Sequence, residues 1–584
     1  MARALVLGAE TGGLAGVDND ARDVSGWLTR AGFAVDLRMA GAATRAAMLD
    51  GLRGLIADAR ADEACVVYFS GNGGVLELAG SPSARFDFLV PSDHVRGGAF
   101  CGVLELEWSA LIAALTARTR NVAVIHDCCY AAQMVRTAHL ARERPRALER
   151  VTAPASYVPG LAEDPAVYPL GNPDAVRLAA AGARDVAWER AAADGRVRGV
   201  FTEALLAEIE ALGERALSWA ALGRRVRERV LRTTGRQRPE IAGPIDRRVF
   251  GIDTLDTPTR IAVRPAGRRL VLAAGRVHGV DRDDVFRSAD PVARTAVVIQ
   301  VGMFESIIRV ESAARTSGGF EVISVARAVR YTVALEVGDP ATHAALSDAI
   351  ARTPSLAVGD AASAMTRGRL EGDRLVLRDG SGGESSVPAT PAGITQAIAH
   401  WSMLAAIQSL QRTAARFADP ELALVVDRVA GSPGRLSDGA ELHPADRVCV
   451  QLPNPTRRTL WFHLFAVGPG ARLVGLGNTS SGIQVDARVT EVLGAVPGFG
   501  AVGFALAEPG EPSGPARPIE LIALATTAPV DLSAVVCPDT IDTASASPVR
   551  AAATELATDA SRDIAALPRA DHAIAMRRWF LIRA

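Results

Sequence analysis

The sequence predicts an α/β protein: a mostly parallel sheet with helices on both faces, followed by β-rich modules toward the C-terminus. Three observations carry this. Over residues 1–251 short apolar runs alternate with stretches at helical spacing, and strands alternating with helices imply parallel pairing with both sheet faces covered. The runs Ala64–Phe69 and Asn121–His126 are almost uninterrupted and rich in Val and Ile, as strands buried on both faces are. After Thr257 the pattern changes to short strands divided by Gly, Asp and Pro turns.

Arg3–Gly8 reads as the first strand. Asp18 is placed as the cap of a helix running to Ala31, with Val24, Trp27 and Leu28 on one face. Phe33–Leu37 is the second strand. Ala43–Ala61 is an amphipathic helix whose core stripe is Met48, Leu52, Leu55 and Ile56. Ala64–Phe69 is the third strand, Trp108–Leu115 a helix, and Asn121–His126 the fourth strand. Residues 136–180, rich in Arg and Pro, read as a long exposed loop. Ala183–Trp188 and Gly199–Phe201 are further strand candidates, Thr202–Ala211 a helix, and Ser218–Leu231 a helix capped by Ser218. Four units are expected: 1–251; a β-rich module at 258–336; a mixed region at 337–419 with a helix over Ile394–Ala415; and a sandwich-like domain at 420–584, with strands at Ala445–Leu452, Leu460–Val467 and Ile519–Ala525.

Composition narrows the function classes. Hydrophobic residues make up 49% and charged residues 22%, which excludes wholesale disorder. Net charge is −1, so no chain-wide grip on nucleic acid or anionic lipid is expected. All 64 basic residues are Arg, so the plain reading of any single Arg is a solvated surface charge. Six scattered cysteines do not make a disulfide scaffold or a zinc site, and no metal or cofactor is expected. The opening apolar run Ala4–Leu7 is too short for a signal h-region, and no stretch of about 18 apolar residues occurs. The expectation is a cytoplasmic protein with reduced thiols and no membrane partner.

In open parallel sheets functional groups gather at the carboxyl ends of strands, which directs attention to the residues just after Phe69 and His126. The first segment is Val66-Val67-Tyr68-Phe69-Ser70-Gly71-Asn72-Gly73 and the second Val124-Ile125-His126-Asp127-Cys128-Cys129-Tyr130. A Cys leaving a buried strand toward a helix is well placed as a nucleophile. Gly8, Gly12, Gly13 and Gly16 come after the first strand, but their spacing is not that of a dinucleotide loop.

These segments resemble the caspase-like cysteine peptidases, above all the metacaspases and their prokaryotic relatives. In that family one strand is followed by Ser-Gly-His-Gly, which carries the general base, and a later one by Asp-(Ser/Cys)-Cys-His-(Ser/Ala)-Gly, which carries the nucleophile. Leu14-Ala15-Gly16-Val17-Asp18-Asn19-Asp20-Ala21 and Gly199-Val200-Phe201-Thr202 also match family segments, in the same order, so the resemblance covers about residues 1–251. It implies a caspase-like sheet, Cys129 as nucleophile and Gly73 as an oxyanion-site N–H donor. It also implies Asp20, Ser70 and Asp127 as the lining of a pocket for a basic P1 side chain. Two carboxylates at one pocket would select Arg or Lys by charge-assisted hydrogen bonds. The plain alternatives are a helix N-terminal charge for Asp20 and a strand-end cap for Asp127.

The chain departs from the family pattern at one telling place: Asn72 stands where the family has His. An imidazole takes the thiol proton and returns it to the leaving amine near neutral pH, and a carboxamide does neither. Loss of such a member costs roughly 10³-fold or more in rate. Tyr130 and Ala132 likewise replace the usual His and Gly. Of the other candidates, His126 reads as a packed strand residue, His94 as a loop residue near the cleft, and Cys128 as a buried neighbour. Residues 420–584, with Phe462–Phe465 and Asn478–Ile483, weakly resemble a β-sandwich appended to prokaryotic caspase-like chains, with protein partners as its expected contacts.

Two functions stay open on the sequence. One is a cysteine endopeptidase acting on protein or peptide substrates with Arg or Lys at P1, impaired by Asn72. The other is an inactive pseudo-peptidase that binds peptides or scaffolds partners through its β-rich modules. If the cleft is active on Arg, self-cleavage is expected among Arg136, Arg142, Arg144, Arg146 and Arg150.

Overall fold

The computed structural model describes residues 2–78, 81–129, 143–145, 151–153, 174–182, 186–192, 194–212, 217–234 and 237–253 of the N-terminal part. Beyond it are described 260–267, 269–288, 294–310, 320–326, 331–352, 356–360, 364–379, 384–390, 393–394, 397–398, 424–429, 433–443, 446–467, 473–476, 482–496, 500–501, 503, 517–527, 529–530, 532 and 574–582.

The N-terminal sheet is built from β1 (Arg3–Ala9), β2 (Ala34–Met39), β3 (Cys65–Gly71), β7 (Val122–Asp127), β10 (Ala175–Ala179) and β13 (Glu240–Ala242) in the order β13-β10-β7-β3-β1-β2. All neighbours are parallel except β10 and β13. Side chains alternate across the sheet, and the two faces make two cores. On one face Val66, Tyr68, Ala123 and Ile125 pack under α1 (Val17–Arg30), α4 (Val200–Leu212) and α5 (Trp219–Thr234). On the other Val67, Phe69, Val122 and Val124 pack under α2 (Arg45–Asp58) and α3 (Glu105–Thr116). The caspase-like α/β architecture read from the sequence is the one observed.

Between β3 and α3 lies a ribbon the sequence reading did not anticipate. It comprises β4 (Gly73–Leu78), β5 (Ser81–Leu89) and β6 (Val103–Leu104), with β9 (Val151–Ala153) added along β4. A second small sheet joins β8 (Glu143–Pro145), β11 (Trp188–Ala191) and β12 (Val197–Gly199) in the order β12-β11-β8. The strand expected at Ala183–Trp188 thus begins at its last residue. That expected at Gly199–Phe201 gives way to α4 from Val200.

Asp18 does not cap α1. The helix starts after Gly16, with no side-chain cap on that residue, while both oxygens of Glu189 accept from the N–H groups of Ala15 and Gly16 at 3.0 Å. A carboxylate from a distant strand therefore takes the place of the local cap. Ser218 does cap α5, its Oγ accepting from Ala221 N at 3.3 Å.

Residues 260–326 close into a six-stranded barrel. Residues 331–388 form a five-stranded sheet with a helix at Pro340–Arg352. Of the helix expected at Ile394–Ala415, all but 394, 397 and 398 lies outside the described residues. Strands from Val425 to Ile582 form two larger sheets sharing one apolar core, with Val450 and Leu452 from one and Phe462, Leu464 and Leu521 from the other. The outer side of the second sheet (Phe465, Val467, Ile522, Leu524) packs against Val277 and Phe304 of the barrel region. Among the described residues no helix is long and apolar enough to cross a membrane.

Candidate active site

β3 and β7 are neighbours in the sheet, with Ser70 opposite Asp127 in register, so their carboxyl ends open at the same point. The chain then brings Gly73 against Cys129: a Cβ added to Gly73 would overlap the Cys129 carbonyl oxygen. Only glycine fits that approach. The two segments singled out in the sequence therefore meet through backbone atoms.

Cys129 is 1% exposed and faces the α1/α4/α5 side of the sheet. Its Sγ accepts a hydrogen bond from the N–H of Ala187 at 2.9 Å and lies 3.5 Å from the Ala187 carbonyl oxygen. The segment after Ala187 is held from two sides. Gln237, fully buried, accepts from Trp188 N at 3.1 Å and donates to Ala180 O at 2.9 Å. Glu189 holds the turn into α1 through Ala15 and Gly16. The thiol is thus roofed by a clamped strand rather than open to solvent.

Asn72 is 2% exposed. Its Nδ2 donates to the carbonyl and the hydroxyl of Thr11 at 2.9 and 3.1 Å, and its own backbone carbonyl accepts from Val90 N. The amide thereby ties the β3 end to the loop after β1.

Asp20, Ser70 and Asp127 are all buried near the start of α4, in two hydrogen-bonded groups. Asp20 accepts from Ser70 Oγ at 3.1 Å and from Gly199 N through both oxygens. Asp127 Oδ2 accepts from Thr202 N at 3.2 Å and from Thr202 Oγ1 at 2.6 Å. With the Thr202 proton so used, the 2.7 Å contact between Tyr68 and Thr202 has the tyrosine O–H as donor. Both carboxylates sit at the start of α4, where free N–H groups and the helix dipole favour negative charge. The sequence reading missed Thr202, Ala187, Glu189 and Gln237. Thr202 lay inside a matched segment, and Glu189 is a lone acid in an apolar run, but their partners are remote in the chain.

No other histidine among the described residues reaches the thiol. His126 lies on the α2/α3 side of the sheet, opposite Cys129, where its Nε2 accepts from Trp108 Nε1 at 3.2 Å. Burial pushes its pKa down to about 3, so it stays neutral. His94 packs its ring on Phe88 and Phe100. Phe88 underlies Gly74, whose Cβ direction is opposite to that of Gly73, so His94 is on the far side of the ribbon from Cys129. Burial also lowers the His94 pKa. Cys128 faces the α2/α3 core with Phe69. Of the self-cleavage candidates, Arg136, Arg142, Arg146 and Arg150 lie outside the described residues.

Residues 1–250 match the family model Peptidase C14, described as caspase domain. No curated protein matches the sequence. A solved structure, that of protein GSU0716 from Geobacter sulfurreducens, is similar at 20% identity and a TM-score of 0.32, covering 44% of this chain and 99% of that one.

Proposed function

We propose that residues 1–250 act as a caspase-like cysteine endopeptidase that recognises Arg or Lys at P1, with activity impaired because Asn72 occupies the position of the general base. The observation that supports this reading is the close approach of Gly73 to Cys129, where a Cβ added to Gly73 would overlap the Cys129 carbonyl oxygen. In the reaction the Cys129 thiolate attacks the scissile carbonyl, and the Gly73 N–H steadies the oxyanion. The amide bond breaks as a thioester forms, the amine leaves with a proton, and water hydrolyses the thioester. Two proton transfers are needed, and Asn72 supplies neither. A free thiol with pKa about 8.5 is only a few per cent ionised at pH 7.

Asp20 and Asp127 would receive the basic P1 group. Their carboxylates are shared with the α4 N-terminus, so a P1 guanidinium would compete with backbone N–H donors for the remaining lone pairs.

The test is hydrolysis of a fluorogenic peptide with Arg at P1 by the chain as it stands, by Asn72→His and by Cys129→Ala. The reading expects slow or no turnover by the first, a gain of roughly 10³-fold in the second, and none in the third. Turnover unchanged by Cys129→Ala sinks it. Absence of turnover in Asn72→His favours the pseudo-peptidase reading, which the buried thiol also suits.

A further inference from the structure

Four consecutive residues, Arg196 to Gly199, are each held by a side chain of α1. Arg196 donates to Asn19 Oδ1 at 3.1 Å and to Asp23 Oδ1 at 3.3 Å. The Val197 carbonyl accepts from Asn19 Nδ2 at 2.9 Å. Arg198 Nε donates to Asp23 Oδ2 at 2.8 Å. Gly199 donates its N–H to both oxygens of Asp20. Asn19 and Asp23 are four apart on the helix and so share a face. The hairpin returns the grip through its other strand, where Glu189 of β11 accepts from Ala15 and Gly16 at the start of α1. Asp20 thus lies between two points at which helix and hairpin are joined.

From this arrangement we propose that Asp23 is a positioning residue for the pocket that receives a basic P1 group: it fixes the register of α1 against β12, so that the Asp20 carboxylate stays on the Gly199 N–H. The proposal rests on the reading of Asp20 as a P1 acid. Asp23 touches no substrate in this account; its effect passes through Arg198 and the backbone to Gly199. Its two oxygens take one guanidinium each, from Arg196 and Arg198. The Arg198 side chain is 15% exposed and that of Asp23 26%, so the pair is more sheltered than a surface ion pair, whose worth is small. Arg198 is also fixed from the turn between the strands, where Asp194 Oδ1 accepts from its Nη1 at 2.8 Å. Without Asp23 the two guanidinium groups turn to water and β12 is free to slide along α1. A misplacement of about 1 Å can cost an oriented site roughly 10²-fold, and the bonds that remain at Asn19 and Glu189 limit the loss to about tenfold.

The test reads binding, so it does not depend on catalysis. Fluorescence titration with 4-aminobenzamidine, an aromatic amidinium that stands in for a P1 guanidinium, is run on the full chain. It is repeated on full chains carrying Asp20→Asn, Asp23→Ala, Arg198→Met, Asp23→Ala with Arg198→Met, and Arg22→Ala. Arg22, paired with Asp18 on the same helix, is the control. Asp23→Ala and Arg198→Met should each weaken binding about tenfold. The double variant should lose no more than either single one, because the same linkage is cut twice. Arg22→Ala should change nothing. Asp23→Asn keeps an oxygen for Arg198, should fall between, and carries the test if Asp23→Ala does not fold. A double-variant loss equal to the product of the single losses overturns the proposal. So does a lowered melting temperature with unchanged affinity, the mark of a merely structural role. Unchanged affinity in Asp23→Ala beside lost affinity in Asp20→Asn removes this inference and leaves the pocket reading standing. If the unaltered chain does not bind 4-aminobenzamidine, or Asp20→Asn binds it equally well, the pocket reading itself fails and this inference with it.

Discussion

Thr202 shows how much of the site hangs on single hydrogen bonds. Its hydroxyl donates to Asp127 and accepts from Tyr68, all three being buried. Thr202→Val removes one hydrogen bond from a buried carboxylate and one from a buried phenol, at about 1–3 kcal/mol each, while the backbone N–H of residue 202 still reaches Asp127. Urea unfolding followed by tryptophan fluorescence should show a loss of about 2–4 kcal/mol. Gly73 offers a sharper contrast. Gly73→Ala forces its Cβ onto the Cys129 carbonyl and should abolish any activity gained by Asn72→His. Gly54→Ala, in α2 with nothing within 4 Å, should leave that activity intact and stabilise the helix by about 0.5–1 kcal/mol. His126 sets a pH dependence. Its folded pKa of about 3 lies below its ordinary 6.5, so the unfolded chain binds the extra proton between those values. Stability therefore falls as pH drops from 6.5 toward 3, and His126→Phe should flatten that slope in unfolding curves taken across the window. Cys129, Asn72, Gly73, Asp20, Ser70 and Asp127 are legible in the sequence through the resemblance of short local segments to the caspase-like family. Their engagement with Thr202 and Gly199 was not legible, since those bonds span 75 and 179 residues.

At the scale of elements, the segment leading into β11 decides how the thiol meets solvent. Gln237 clamps Trp188 and Ala180 together, and that clamp holds Ala187 over the sulfur. Gln237→Ala should loosen the roof and speed alkylation of Cys129 by iodoacetamide, read by peptide mass mapping. An unchanged rate there, with the fold retained, would mean that the clamp does not gate the thiol. The central strands β1, β3 and β7 could be read from their apolar runs, because burial on both faces leaves little else in the sequence. The β4–β5 ribbon could not be read so, since its glycines, serines and proline give the composition of a loop. Asp18 was a reasonable cap by local rules. A carboxylate 173 residues away from Gly16 holds the turn instead, and no local pattern announces it.

Across the whole molecule, the N-terminal α/β domain, which matches the caspase family model, is followed by strand-rich units that pack on one another. The barrel region reaches the C-terminal sheets through Phe304 and Val277, which lie on Phe465, Val467, Ile522 and Leu524. Phe304→Ala should cost about 3–5 kcal/mol. In calorimetry it should split a shared transition of the barrel and those sheets, while the N-terminal domain is unchanged. The measurement that bears most directly on the central claim is covalent trapping. The Asn72→His chain is treated with an arginyl fluoromethyl ketone and its intact mass is read, with the unaltered chain and Asn72→His/Cys129→Ala alongside. The account predicts one adduct, on Cys129, formed rapidly only in Asn72→His and absent in the double variant. An adduct on Cys128, or labelling that survives loss of Cys129, would contradict it.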